Sequence, residues 1–137
     1  MSIEHQEIVT ENERKWLEKE LVKIGHKIKL EKFNIELYLK KATAEIVLGL
    51  RSQAIESAKT ALSLDETCFM AWVQLGMAYL EEDQFSHAKE AFTGALDCWE
   101  KHPDKKEDSF YAKSIMMDLQ AIEMYVKASE QTKKKGA

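Results

Sequence analysis

The chain contains one proline and five glycines in 137 residues. Strand-rich folds need such residues at every turn, so their scarcity excludes an all-β architecture and favours helices. Cysteine is scarce too: Cys68 and Cys98 stand 30 residues apart with no second cysteine beside either. A Cys-x-x-Cys redox pair and a paired zinc-ligand spacing are therefore absent, and two reduced thiols are expected. His5, His26, His87 and His102 are scattered, with no second histidine four residues away, so no helix-face metal site is indicated. No apolar run approaches the roughly 18 residues of a bilayer span. The opening Met-Ser-Ile-Glu-His-Gln-Glu lacks the basic and apolar blocks of a secretory leader. A cytoplasmic location without membrane insertion is expected. Positive charge is not in excess, since 20 lysines and arginines face 24 acidic residues for a net charge of −4. That is the wrong sign for a protein that neutralises phosphates, and nucleic acid is not an expected partner.

What remains is a length typical of one domain, with 45% hydrophobic and 32% charged residues. The negative charge concentrates in 69–102, which holds two basic and six acidic side chains. Residues 1–11 show no sustained pattern and are read as a frayed N-terminus. The run Lys133-Lys134-Lys135 beside Gly136-Ala137 is read as a solvated basic tail over 133–137. Between them, 12–132 reads as one all-helical domain.

Leu17, Leu21, Ile24 and Ile28 recur at spacings of four, three and four, which predicts an amphipathic helix over 12–31 within an N-terminal segment 12–33. The register continues through Ile35, Leu39, Ala42 and Ile46, so one long helix competes with a break near Phe33-Asn34; the break, with Asn34 as a cap, is favoured. Gly49 follows Ile46-Val47-Leu48 and suits a helix C-terminus, where positive φ is often needed. Residues 51–64 carry a small-residue face of Ala54, Ala58 and Ala61, with Ile55 and Leu62, and Asp65-Glu66-Thr67 ends that helix. Further helices are predicted over 69–82 and 85–99, the second closing before Pro103, and a long terminal helix over 107–132. Glu81-Glu82-Asp83 is read as a solvated helix end, because adjacent carboxylates point in different directions and a calcium loop needs alternating ligands.

A repeat is visible in this pattern. Trp72-x-x-Leu75-Gly76-x-x-Tyr79, then Ala88-x-x-x-Phe92 and Ala95, resembles the tetratricopeptide repeat at seven signature positions. A shift of 34 residues puts Tyr38 under Trp72, Ala42 under Gly76, Ala54 under Ala88 and Ala58 under Phe92. The unit 35–68 is thus a degenerate first repeat and 69–102 a well-matched second. Lys41 and Glu45 depart from the apolar and aromatic residues usual in the family, and Glu100 stands where its closing proline is expected. Residues 107–132 read as a capping helix. The resemblance implies a short right-handed superhelix of helical hairpins with flanking helices.

No Gly-x-Ser-x-Gly elbow, phosphate-cradling glycine loop or catalytic cysteine setting occurs, so neither catalysis, a cofactor nor a metal is expected. In proteins that this chain resembles, the first helices of successive repeats line a groove for a partner's extended peptide or helix. The corresponding positions here are Glu36, Leu39, Lys40, Thr43 and Val47 in the first unit, and Met70, Val73, Gln74, Met77 and Glu81 in the second. Met116 and Met117 are candidates to extend the same wall, methionine being adaptable in shape. The opposing reading is that this stripe is core, filled by the helix at 12–31. Leu39, Thr43 and Gln74 replace the lysines and asparagines with which one branch of the family clamps chaperone C-termini, so that activity is not implied. A second branch, the chaperones of bacterial type III secretion, matches in size and charge. The leading expectation is a protein-binding adaptor or chaperone-like scaffold. The alternative is an assembly subunit that associates with itself, as a homo-oligomer, or with a larger complex through its N-terminal helix. Trp16 would anchor that interface, although burial within the monomer is favoured for it.

Overall fold

The computed structural model describes residues 9–101 and 109–136. Six helices follow in order: α1 (Glu11–Leu30), α2 (Ile35–Leu48), α3 (Arg51–Leu64), α4 (Phe69–Glu81), α5 (Phe85–Lys101) and α6 (Ser109–Gly136). No strand occurs among the described residues. Each helix packs on the next in the chain, and α2 also touches α4, so the first helices of the hairpins α2/α3 and α4/α5 lie side by side.

Local chemistry sets the boundaries. Thr10 caps α1: its hydroxyl accepts from Glu13 N at 3.1 Å, while the Glu13 carboxylate accepts from Thr10 N at 3.4 Å. This reciprocal pair satisfies two helix-end donors. Of the stretch 1–11 expected to fray, residues 1–8 lie outside the described residues, and Thr10 and Glu11 belong to this ordered start. Helix α1 ends at Leu30, and Asn34 opens α2 by accepting from Glu36 N at 3.1 Å. The break at Phe33-Asn34 is thus present. Gly49 closes α2 at φ +77°, and Leu50 N reaches back to Glu45 O at 2.8 Å. Asp65 holds the next turn by accepting from Thr67 N and Thr67 Oγ1 at 2.9 and 2.6 Å. Helix α5 runs two residues beyond the expected Trp99, to Lys101. The Pro103 exit lies outside the described residues. Lys133-Lys134-Lys135 fall within the backbone span of α6 rather than in a separate tail.

Packing follows the alternation of large and small side chains. A Cβ added to Gly76 would meet the Phe92 ring at 2.6 Å, and one added to Gly94 would meet the Trp72 indole at 2.6 Å. The two helices of the second hairpin therefore interlock in both directions, with an aromatic side chain of each seated on a glycine of the other. Phe92 is 1% exposed and lies in a core with Phe69, Val73, Ala88, Ala95, Ile115 and Ile122, which joins α4, α5 and α6. In the first hairpin, Ala54, Ala58 and Ala61 are fully buried and let neighbouring helices approach.

Lys41 and Glu45, the departures from the family pattern, form a polar joint in that hairpin. Glu45 is 3% exposed and accepts from Lys41 Nζ at 3.1 Å and from Ser57 Oγ at 2.6 Å, and Lys41 Nζ also lies 3.0 Å from Ser57 Oγ. Every charged or polar end in the joint is matched, as burial requires.

Candidate functional site

A groove of about 550 Å³ opens where α1, α2 and α4 converge. Helix α1 contributes Trp16, Leu17, Glu20 and Ile24, α2 contributes Glu36, Leu39, Lys40, Thr43 and Ala44, and α4 contributes Met70 and Gln74. The stripe Leu17, Leu21, Ile24 and Ile28 supplies the inward side of α1, with Ile24 buried and the other three half-buried. Helix α1 packs on α2 and stands as one wall, leaving the trough beside it open rather than filled.

Six of the ten residues expected to line a groove are brought together here: Glu36, Leu39, Lys40, Thr43, Met70 and Gln74. The other four are placed elsewhere. Val73 is 7% exposed and belongs to the core with Phe92, because its position on α4 turns it toward the helices that follow. Val47 and Met77 are 42% and 43% exposed but lie outside the walled trough, about one turn further along their helices. Glu81 sits half-buried at the far end of α4. Met116 and Met117 do not join this wall; they lie exposed on α6, which packs on α5.

Trp16 was expected to be core and is instead 61% exposed on the groove wall. Among the described residues, helix α1 packs chiefly on α2, and the indole stays largely uncovered. Together with Leu17, Glu20 and Ile24 it forms a part of the site that the repeat offsets do not reveal. The signal was present as Trp16 beside the Leu17 stripe, but periodicity assigns a face without saying what stands opposite it.

The groove is apolar with few polar groups. Gln74, 5% exposed, donates from Nε2 to Leu39 O at 2.9 Å and to Thr43 Oγ1 at 2.7 Å, and Thr43 Oγ1 donates to Leu39 O at 3.0 Å. Gln74 is thereby tied across the α2–α4 seam. Glu20 and Glu36 bring negative charge to the lining and Lys40 positive. The side chains with displaced titration lie elsewhere. Burial raises the pKa of the Cys98 thiol, with the Asp97 charge adding to it, and burial also raises that of the Asp118 carboxyl on α6. The Asp97 hydrogen bond raises that of Lys101. Among the described residues, no three His, Cys, Asp or Glu side chains gather as a metal site, and no helix is long and apolar enough to cross a membrane.

No protein-family profile matches the sequence, and no curated protein matches it. Solved structures do match in fold. The type III secretion translocator chaperone SycD of Yersinia enterocolitica superposes with a TM-score of 0.76 at 14% identity, over 81% of this chain and 74% of that one. The Sgt2 TPR domain of Aspergillus fumigatus superposes with a TM-score of 0.71 at 19% identity, over 86% of this chain and 73% of that one. The chain is an all-α protein with the superhelical fold of tetratricopeptide-repeat domains.

Proposed function

We propose that the chain is a non-enzymatic interaction module that holds a segment of a partner protein in the groove between α1, α2 and α4. The observation that carries this reading is the groove's exposed apolar lining. Trp16 and Met70 remain 61% and 37% exposed after folding, beside Leu17, Leu39 and Ala44 and a few polar side chains. Concave apolar surface with a few polar groups is what segment-binding grooves present. The likeness to a translocator chaperone and to the Sgt2 TPR domain supports a chaperone or adaptor role. The division into repeats at 35–68 and 69–102, with a cap at 107–132, belongs to the same proposal. Two units bury their faces only against neighbours, and α1 and α6 serve as the cover they need. A cytoplasmic location goes with this role.

The test is affinity capture with the unaltered chain, Met70→Glu and Met77→Glu. Both substitutions place a carboxylate at an exposed position of α4, one inside the groove and one outside it. With circular dichroism and melting matched, a partner kept by Met77→Glu and lost by Met70→Glu is the expected result. Equal retention by both variants rejects the groove.

A second reading, association through α1, is favoured by one observation: Val22 is 62% exposed on that helix and lies outside the groove. It predicts a dimer or larger species in sedimentation that Val22→Glu converts to monomer. A monomeric unaltered chain at high concentration removes it.

A further inference from the structure

Helix α6 carries two uncharged stripes, and the fold covers one of them. Ala112, Ile115, Leu119, Ile122 and Val126 recur at spacings of three, four, three and four. Ala112, Ile115 and Ile122 are buried and the other two half-buried, on the side that packs on α5. Ser114, Met117, Ala121, Met124, Ala128 and Gln131 begin the same spacing again and carry it one step further, on the far face, where all six are exposed. Met117 and Met124 are each 71% exposed. A surface helix ordinarily turns charge toward water, whereas here Asp118, Glu123 and Lys127 fall outside this second stripe. Exposed apolar surface of this kind marks an interaction face.

We propose that this stripe is the interface of a homodimer, in which α6 of one copy packs antiparallel on α6 of a second. The stripe is complementary to its own reverse. The register that sets Ala121 against Met124 of the second copy also sets Met117 against Ala128 and Ser114 against Gln131, and twofold symmetry repeats each pair in the other direction. A large side chain thus meets a small one in every layer, as close-packed helices require. Parallel pairing in register would set Met on Met and Ala on Ala, alternating crowding with voids. Beside the inner layers, the antiparallel register faces Asp118 with Tyr125 and Gln120 with Lys127, so no like charges meet there. The surface has a recess at the matching place. Ala121 lines a hollow of about 710 Å³ with Leu80, Phe85, Ile122 and Tyr125, and with Asp83 and Asp118 at its polar side. Met124 of the second copy lies over Ala121 in this register, and an unbranched methionine suits an irregular hollow. None of the groove lining comes from α6, so the dimer leaves both grooves open.

The test is sedimentation equilibrium over a concentration series, with the unaltered chain, Met124→Glu, Met117→Glu, Met116→Glu and Val22→Glu matched by circular dichroism. Met116 is 41% exposed on α6 but falls off the stripe, and Val22 reports on α1. The unaltered chain, Met116→Glu and Val22→Glu are expected to dimerise alike, and Met124→Glu and Met117→Glu to associate at least about tenfold more weakly. An unaltered chain that stays monomeric to the top of the series overturns the proposal. A dimer weakened by Val22→Glu and untouched by the two stripe variants overturns it as well, in favour of α1. Cross-linking tests the direction. In chains with Cys68 and Cys98 replaced by serine, Ala121→Cys is mixed with Met124→Cys and oxidised, and the products are sorted by mass. The mixed disulfide is expected to dominate, because the antiparallel register sets those two positions opposite each other. Dominance of the two like-with-like disulfides overturns that register.

Discussion

The hairpins α2/α3 and α4/α5 follow one another in the fold, yet they close by different chemistry. In α4/α5, Phe92 and Trp72 each press on a glycine of the facing helix, so fit is set by shape at van der Waals distance. In α2/α3 the joint is the Lys41–Glu45–Ser57 network, while Ala54 and Ala58 of α3 are buried in a cluster with Leu75, Ala78 and Ala91 of the second hairpin. A shape-matched joint fails when volume changes. A charge-matched joint fails when one partner is removed and recovers when both are replaced together. The same hairpin geometry is thus compatible with two kinds of tolerance, and the first hairpin carries charged residues at its joint without losing its packing.

Substitutions that break each joint separate these mechanisms, and the largest effect is expected in the second hairpin. Phe92→Ala leaves a cavity at the 1%-exposed centre of the α4, α5 and α6 core, and chemical denaturation should register a loss of about 3–5 kcal/mol. Lys41→Met strands the 3%-exposed Glu45 with Ser57 alone and should cost about 2–3 kcal/mol. The double variant Lys41→Met with Glu45→Met should recover most of that loss, to within about 1 kcal/mol of the unaltered chain. If the double variant is as unstable as the single one, the network is more than a replaceable seal.

Gly76→Ala forces a methyl to within 2.6 Å of Phe92. Its overpacking is offset in part by better helix propensity, for a net loss of about 1–2 kcal/mol. A neutral result would show that the Phe92 ring has room to retreat. The smallest effect belongs to Asp118. Its pKa is raised by burial, so in the folded chain its ionisation is disfavoured relative to the unfolded chain. The resulting penalty is present above its folded pKa and vanishes below the usual carboxylate range, where both states are protonated. Asp118→Asn should therefore raise the melting temperature slightly at neutral pH and leave it unchanged in acid. An unchanged melting temperature at both would remove burial as the governing effect at that side chain.

Much of the helical order was legible in the residues. Asn34 and Gly49 mark ends because their local chemistry is the same wherever the rest of the chain packs, and Trp72, Gly76, Ala88 and Phe92 announce how α4 meets α5. Thr10, inside the stretch expected to fray, forms a capping box with Glu13 just beyond it. The site was legible in part. Repeat offsets located the α2 and α4 sides of the groove, but Val73 shares the α4 turn with Gln74 and its burial depends on where α5 and α6 lie. The wall supplied by Trp16, Leu17, Glu20 and Ile24 depends on the docking of α1, a non-local contact that helical periodicity does not encode.

The central claim, that the α1, α2 and α4 groove holds a partner segment, is tested most directly by a nitrogen-15 NMR titration with a segment of a partner captured by the unaltered chain. The account predicts the largest amide shifts at Leu39, Thr43, Met70 and Gln74, which line that trough. Shifts centred instead on the exposed α6 side chains Met117, Met124 and Tyr125, with the groove amides unmoved, would contradict it.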